Sequence, residues 1–462
     1  MADDNPQKFT DLPLSPVTFG VRDKFPTISR TLVKFQAARM TSIQAKAIPL
    51  LLRGDDLAAY SSNGSGKTLA YLIPALDHLC KNKYEPDDGI IVMVLCPNTM
   101  VAIQIDRDIK TILKDSPQTL QTIGRLIASP GDRYVRKNLL IATPAGLRYH
   151  HAYDPERIKY DKLKFLIFDD PYLILRFSDQ KKWNWVRSNF PKEQLQIAIF
   201  SVTKLKRECL LRLLPEGRRP GDFSVIDEVQ NRQWVTNDRL EQEFILVPCA
   251  KRLITLYIML KTTKSKKVMV FFSTTESVKF HEELFTFLDV KCYGVHGDQT
   301  VSEHSKIYYS FSNAEEMILL CTNIAAFGLN IPDVDLIVQY DPPIDPEEYI
   351  HKVGRTARGT RKGNALLFLM PHELRFISFM KTHKVLIREH MFDEKMAPNV
   401  GSYLLRLVAE TEELMEMATK AYIEYISAYN LITMRDIFGI HLLDKEAVAA
   451  SFCLWNPVTE AI

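Results

Sequence analysis

Unbroken apolar runs a few residues long alternate along this chain with longer stretches in which apolar positions recur every three or four residues. In the first half the runs are DLAAY (56–60), IIVMVL (90–95), NLLIAT (138–143), FLIFDD (165–170) and QIAIFS (196–201). In the second half they are KVMVFFS (267–273), CYGVHG (292–297), MILLCT (317–322), DLIVQYD (335–341) and NALLFLM (364–370). A strand buried on both faces carries apolar residues on both sides, so it reads as a continuous run; this is how a parallel sheet covered by helices looks in sequence. Segments with helical spacing, such as ESVKFHEELFTFL (276–288), fall between the runs. Strand–helix alternation twice over predicts an α/β protein with two tandem parallel-sheet lobes.

The boundaries follow from shifts in the pattern. PEGRRPGDF (215–223) and DEVQNRQWVTNDRLEQ (227–242) are polar, which predicts a linker at 224–243 between a first lobe at 19–223 and a second at 244–388, with residues 1–18 as an N-terminal arm. After Arg388 the apolar runs stop, and SYLLRLVAETEELMEMATKAYIEYISAYN (402–430) has helical periodicity without Pro or Gly. That predicts a helical C-terminal extension over 389–462.

Composition changes this picture in a few places only. A length of 462 residues leaves room for two or three domains. No stretch of eighteen apolar residues occurs, so no membrane-spanning helix is expected. The polar start MADDNPQKFTDLPLSP does not resemble a secretory leader. The seven cysteines are scattered singly, which argues against a zinc site or a disulfide scaffold and fits a reducing compartment. A net charge of +3 does not by itself signal a polyanionic partner, so any nucleic-acid site must be a local patch.

Three motifs carry chemistry. Ser61-Ser62-Asn63-Gly64-Ser65-Gly66-Lys67-Thr68 follows the run DLAAY and precedes a helical stretch. Its glycines let the backbone wrap a phosphate chain, Lys67 can reach the β/γ-phosphates, and the Thr68 hydroxyl can ligand Mg²⁺. Such P-loops usually open on Gly or Ala, and Ser61 stands there instead. A plain strand–turn–helix would account for the glycines but not for Gly-Lys-Thr. At the end of FLIFDD, Asp169 can hold Mg²⁺ through water and Asp170 can orient an attacking water; without the P-loop upstream, two such aspartates would mean only a strand end at the surface. In Tyr349–Gly359, YIHKVGRTARG, Arg355 and Arg358 are three apart and would share one helix face. Two guanidiniums so placed stabilise charge developing on a γ-phosphate; the plain alternative is a basic solvated helix.

Taken together, the P-loop, Asp169-Asp170-Pro171, Ser201-Val202-Thr203 and HKVGRTARG resemble the DEAD-box RNA helicases of superfamily two. The resemblance runs from Phe19 to Arg388. It includes IQAKAIP with Gln44, PNTMVAIQ (97–104), Thr143-Pro144, His296-Gly297-Asp298 and CTNIAAFGLNIPDVDLIVQYDPP (321–343), all in the family's order. The second lobe and tail look most like the Pitchoune-type nucleolar branch, through KKVMVFFSTTESVKFHEEL, IVQYDPPIDPEEYIHKVGRTARG and AYIEYISAYNLITMRDIFGIHLLD. This resemblance implies two RecA-like lobes and a monomeric RNA helicase dependent on ATP and Mg²⁺. It further implies a nuclear, nucleolar role in rRNA processing and large-subunit ribosome biogenesis, with pre-rRNA and ribosome-assembly proteins as partners and no membrane. Residue by residue, Gln44 would read adenine, with Phe19 as the aromatic upstream of it. Ser62, Asn63, Gly64, Ser65, Gly66, Lys67 and Thr68 would cradle the phosphates, Thr68 and Asp169 would serve Mg²⁺, and Asn330 would face the ribose. Ser201 and Thr203 would couple the lobes, His351 would bridge to the first lobe, and Arg355 and Arg358 would reach the γ-phosphate. RNA would lie by its backbone along Pro97, Gln104, Thr143, Pro144, Gly297 and Thr322, read by shape and 2′-OH with little base preference.

Several positions depart from the family pattern. The motif that names the family reads Asp169-Asp170-Pro171-Tyr172, so a glutamate has become Asp170 and an aspartate Tyr172. Thr99, Gly146 and Phe327 stand where RNA-facing arginines are expected, Asn330 replaces an aspartate, and the Gln-x-x-Arg segment reads Val301-Ser302-Glu303-His304. Changes at Asp170, Tyr172 and Phe327 are expected to slow turnover, and the missing arginines to weaken RNA grip. Two readings stay open at this point: an ATP-hydrolysing RNA helicase, and a diverged paralogue with weak or no turnover acting as an RNA-binding clamp or assembly scaffold. A P-loop motor of another family would leave the second-lobe arginines without a role.

Overall fold

A computed structural model describes residues 40–82, 84–85, 88–113, 138–153, 160–177, 180–230, 233–326, 334–358, 361–390 and 401–455. The N-terminal arm, Phe19, Phe327 and Asn330 lie outside the described residues. The chain divides into two compact units at Arg232/Gln233.

The first unit is built on β1 (Leu57–Tyr60), β2 (Val92–Leu95), β3 (Leu139–Ala142), β4 (Phe165–Asp169), β5 (Gln196–Ser201) and β6 (Ser224–Asp227). They form one sheet in the order β3-β2-β4-β5-β1-β6, every described pair parallel, with registers such as Leu57↔Ala198 and Val92↔Phe165. β1 to β4 are buried along their whole length, because helices cover both faces. The helices Ser42–Arg53, Lys67–Asn82 and Thr99–Ile112 contribute Ile43, Ala47, Leu51, Leu72, Leu76, Val101 and Ile105 to the same core as Leu57, Val94 and Ile167. Two caps fix where these helices lie: Asn98 accepts from the Val101 amide at 3.0 Å, and Gly54 ends the first helix at φ +92°, a conformation cheap only for glycine.

The second unit repeats the design with β7 (Leu240–Leu246), β8 (Lys267–Phe271), β9 (Cys292–Val295), β10 (Met317–Cys321), β11 (Leu336–Gln339), β12 (Gly363–Leu369) and β13 (Arg388–Glu389). Their order is β13-β7-β12-β11-β8-β10-β9, again parallel. Two parallel-sheet lobes in tandem, each with its own core, are therefore present, as the alternation of runs implies.

The linker expected at 224–243 is shorter than that. Ser224–Asp227 is the edge strand β6 of the first sheet, paired with β1, and Leu240–Leu246 pairs with β12 along its length. Asn237 donates to the Ala357 carbonyl at 2.8 Å and the Val235 amide to Lys384 at 2.9 Å, so residues from Gln233 on are stitched into the second unit. Both strands escape the run template for one reason: each keeps polar residues on a partly exposed face, as in LEQEFIL with Leu240, Gln242 and Phe244 buried and Glu241 exposed.

Among its described residues the C-terminal extension is helical, with α-helices at Gly401–Glu410, Glu412–Asn430 and Lys445–Ser451 and a 3-10 turn at Ile440–Leu442. Glu412–Asn430 packs on the helix Thr275–Phe287 of the second unit. Tyr425 Oη accepts from Arg252 at 3.0 Å, while Arg252 forms a buried ion pair with Asp341 at 2.6 Å and lies 4.3 Å above the Tyr340 ring. Tyr429 donates to Glu373 at 2.8 Å. No helix among the described residues is long and apolar enough to cross a membrane.

Candidate nucleotide and RNA site

In a parallel sheet the C-terminal strand ends share one edge, and the loops leaving them converge there. In the first unit the P-loop leaves β1, Asp169 ends β4, and Ser201 ends β5, all neighbours in the sheet. The Ser61 amide donates to the Ser201 carbonyl at 3.0 Å, so the first P-loop residue is fixed to the end of β5. Gly64 and Gly66 have φ of +71° and +96°, which glycine alone adopts without strain. Lys67 turns inward and donates to the carbonyls of Ser61 at 3.0 Å and Ser62 at 3.2 Å. These bonds place its ammonium inside the cradle, where it can exchange carbonyl oxygens for phosphate oxygens.

Gln44 reaches this loop from the helix Ser42–Arg53. Its Nε2 donates to the Gly66 carbonyl at 3.1 Å, and its Oε1 accepts from the Thr41 amide at 2.9 Å, one arm of a capping box. The approach is tight: a Cβ on Gly66 would sit 2.4 Å from Gln44 Nε2. The glutamine is thus in the P-loop wall. Ser62, Asn63, Ser65 and Thr68 lie partly buried around the loop, and Gly64 is exposed at its crest.

The two aspartates differ. Asp169 is buried and accepts from Tyr71 Oη at 3.1 Å. Burial first, then the neighbouring Asp170 charge, push its carboxyl up to about 7, against the opposing pull of Lys67 and Tyr71. Such a carboxylate gains from a nearby cation. Asp170 sits at φ +50°, its amide held by the Phe200 carbonyl at 2.9 Å, and its buried Oδ1 has no hydrogen-bond partner. An acceptor kept dry and unpaired costs free energy unless something binds it. These two buried carboxylates, one unpaired oxygen among them, fit Mg²⁺, which takes one or two protein oxygens and keeps water and phosphate for the rest. Tyr71 was missed by sequence reasoning. Its only signal is its place one helical turn after Lys67, on the same face.

Pro97 and Gln104 follow β2, and Thr143 and Pro144 follow β3. Because β2 and β3 pair in parallel, and the Cys96 amide reaches the Ala142 carbonyl at 3.0 Å, Pro97 and Thr143-Pro144 lie side by side on the same edge, while Gln104 lies further on, inside the helix Thr99–Ile112. Thr143 Oγ1 accepts from the Gly146 amide at 3.0 Å and so caps the helix Pro144–Tyr153. Thr203, two residues past β5, is half-buried, and Ser201 is buried with its hydroxyl unpartnered.

The second unit repeats the arrangement. Gly297 follows β9 and Thr322 follows β10, which pair in parallel; the Thr322 amide donates to Val295 at 3.1 Å, and a Cβ on Gly297 would meet nothing within 4 Å. The arginine motif departs from the single helix face expected. The helix Pro346–Val353 stops at Gly354, and Ala357 has φ +53°, so Arg355 and Arg358 stand on a turn. The turn keeps them together all the same: Arg355 Nε donates to the His351 carbonyl at 3.2 Å and Arg358 Nε to the Gly354 carbonyl at 3.1 Å. Burial, then the Arg355 charge, push Arg358 below its ordinary value, and like charges held close gain from an incoming anion. The turn can press against the sheet because β12 opens with Gly363, where a Cβ would meet Thr356 Oγ1 at 2.1 Å and the Ala357 amide nitrogen at 2.6 Å. His351 is buried beside this turn.

Comparison with known proteins matches three family models: DEAD/DEAH box helicase over residues 41–208, helicase conserved C-terminal domain over 250–360, and ATP-dependent rRNA helicase SPB4-like, C-terminal extension over 411–457. DEAD-box ATP-dependent RNA helicase 27 of Oryza sativa subsp. japonica is 40% identical over 441 residues, covering 93% of this chain and 74% of the relative. The probable ATP-dependent RNA helicase pitchoune of Drosophila melanogaster is 37% identical over 436 residues, covering 93% of this chain and 63% of the relative. Among solved structures, Mss116p bound to ssRNA and AMP-PNP has a TM-score of 0.76 at 20% identity, covering 96% of this chain and 93% of that one; this likeness speaks for the fold.

Proposed function

The chain belongs to the DEAD-box ATP-dependent RNA helicases, and from that membership we propose that it binds ATP and RNA and spends ATP hydrolysis on remodelling pre-rRNA during ribosome assembly in the nucleolus. The observation that carries the ATP site is the convergence of Lys67, Asp169, Asp170 and Gln44 on one sheet edge, with Lys67 already inside the cradle. The pre-rRNA assignment is supported by the match of residues 411–457 to the SPB4-like rRNA helicase extension.

In the proposed reaction, Lys67 leaves the Ser61 and Ser62 carbonyls for the β/γ-phosphates. Thr68 and Asp169 would hold Mg²⁺, which would supply charge neutralisation at the phosphate oxygens. Asp170 uses its unpartnered Oδ1 to orient the attacking water. Gln44 meets the adenine while keeping Gly66 in place. Arg355 and Arg358 supply positive charge to the γ-phosphate as it transfers, with His351 beside them; Ser201 and Thr203, at the end of β5, serve to couple the nucleotide edge to RNA binding. RNA lies by its sugar–phosphate backbone at Pro97, Gln104, Thr143, Pro144, Gly297 and Thr322.

Phosphate release measured with and without single-stranded RNA tests this directly. The wild type is expected to hydrolyse ATP faster with RNA, and Lys67→Ala to lose at least tenfold in nucleotide affinity, about the worth of one charge-assisted hydrogen bond. Equal affinity in the two proteins would remove the P-loop assignment.

A further inference from the structure

P-loops usually begin with Gly or Ala, and here the residue is Ser61, whose hydroxyl the structure gives a partner. Ser61 Oγ donates to Glu228 Oε2 at 2.7 Å. Glu228 directly follows β6, and its amide donates to the Tyr60 carbonyl at 2.9 Å, so its carboxylate is carried on the strand beside β1. The other oxygen, Oε1, accepts from Ser42 Oγ at 2.5 Å and Lys46 Nζ at 3.1 Å, both on the helix Ser42–Arg53. That helix also carries Gln44, which grips the Gly66 carbonyl. The P-loop is therefore tied to a single helix at both ends, through Gln44 at Gly66 and through Glu228 at Ser61.

The carboxylate is well made for this. Burial works to raise its pKa, and the three donors Ser42, Ser61 and Lys46 outweigh burial and hold it below the ordinary glutamate value. At neutral pH it is an anion accepting charge-assisted bonds. A surface ion pair to Lys46 alone would do little, since that lysine is exposed. The Ser61 bond matters because of what else Ser61 holds. Its amide binds the Ser201 carbonyl, and its own carbonyl accepts from Lys67.

We propose that Glu228 is a positioning residue for nucleotide binding: through Ser61 it fixes the near end of the P-loop against the Gln44 helix, so that the phosphate cradle and the glutamine behave as one rigid unit. The proposal rests on the reading of the P-loop as an ATP site. When Lys67 exchanges two carbonyls for phosphate oxygens, the near end of the loop loses its cation and depends on the bonds at the Ser61 amide and hydroxyl. Without Glu228 that end can drift, and small displacements are costly where reacting groups must align.

The test uses the full chain and titrates a fluorescent N-methylanthraniloyl-ATP against wild type, Ser61→Ala, Glu228→Ala, Glu228→Gln, the double variant Ser61→Ala/Glu228→Ala, and Lys67→Ala. Ser61→Ala and Glu228→Ala should each weaken the analogue roughly 3- to 10-fold, the range expected when one hydrogen bond's worth of positioning is lost. Glu228→Gln, which keeps a carbonyl acceptor for Ser61, should fall between Glu228→Ala and wild type. The double variant should be no worse than Glu228→Ala, because the Ser61–Glu228 bond that Ser61→Ala removes is already broken in that single variant. Ser61→Ala removes a single hydroxyl, so its melting temperature should stay near wild type and isolate positioning from folding. Wild-type affinity in Ser61→Ala and Glu228→Ala, or losses that add in the double variant, would overturn the proposal. If instead the wild type fails to bind the analogue, or Lys67→Ala binds it equally well, the ATP reading itself falls.

Discussion

At the scale of single residues, Asp170 stands where the family resemblance puts a glutamate, and its backbone offers a reason. It occupies the left-handed region at φ +50°, which Asp tolerates better than longer side chains because its short polar group can bond locally. A glutamate there would extend the carboxylate by one methylene toward its water, at a backbone cost of about 1 kcal/mol. Asp170→Glu should therefore raise RNA-stimulated ATP turnover while lowering the melting temperature slightly, read by phosphate release and a thermal melt on the same preparation. Unchanged turnover with intact ATP binding would move the expected defect to the neighbouring departure at Tyr172, and Asp170→Glu with Tyr172→Asp would be the next variant. The P-loop and both aspartates were legible in sequence because phosphate and metal chemistry demands particular side chains at fixed spacing. Tyr71 and Glu228 were not, since a tyrosine on a buried helix face and a glutamate after a strand are ordinary until the fold places them against Asp169 and Ser61.

Elements built from unbroken apolar runs were legible in the same way, whereas β6, β7 and β13 carry polar residues and were missed; a strand on or near a sheet edge, with an exposed face, needs fewer apolar positions. The C-terminal extension was legible as helix from its periodicity, but not the polar network that fastens it. Arg252 sits between Asp341, Tyr340 and Tyr425, so Arg252→Met leaves a buried carboxylate uncompensated, and should destabilise the second unit by about 3–5 kcal/mol. It should also speed proteolysis within the helix Glu412–Asn430; a variant that melts like wild type would show that Arg252 carries no such weight. The same region predicts a pH effect. Burial, reinforced by Arg252, pushes His281 down to about 4, against the Ser277 carbonyl and Asp341. The unfolded chain binds that proton near 6.5. Between those values the unfolded state holds more protons, so the His281 contribution is complete above pH 6.5 and is lost as pH falls toward 4. Glu373, pushed up to about 7 chiefly by burial, acts the opposite way, because its folded form holds the proton more tightly and its contribution fades as pH rises toward 7. His281→Gln removes only the first slope. Urea melts at pH 7 and pH 5 should show the variant losing less stability than wild type on acidification; equal losses would mean that His281 does not titrate on unfolding.

For the whole molecule, the ordering of motifs along the chain was legible, and much of it corresponds to a physical regularity: the P-loop, Pro97, Thr143, Asp169, Ser201, Gly297 and Thr322 follow or end parallel strands, so one edge of each sheet gathers them, whereas Gln44, Gln104, His351, Arg355 and Arg358 come from helices or the turn after one. The linker length was not legible, because polar residues on a half-exposed strand look like those of a loop. In the proposed function RNA would be held at Pro97, Gln104, Thr143 and Pro144 in the first unit and at Gly297 and Thr322 in the second. The chain carries Thr99, Gly146 and Phe327 where arginines are expected. Thr99 opens the helix Thr99–Ile112 beside Pro97, at the β2–β3 edge, so an arginine there would reach past the helix start, where amides already favour an anion. Each missing phosphate contact lowers affinity for single strands and removes about 0.7 from the slope of log affinity against log salt. Thr99→Arg should restore one such contact in the first unit, and Phe327→Arg one in the second. Each should steepen the slope by about 0.7 and tighten binding, and the double variant by about twice that. If nucleotide shifts the population toward the RNA-binding state, the second substitution should act mainly with a non-hydrolysable ATP analogue present. Filter binding over a salt series, with and without the analogue, reads both effects. Slopes identical to wild type for both variants in both nucleotide states would mean that neither position faces RNA, and the RNA path drawn along these loops would have to be moved.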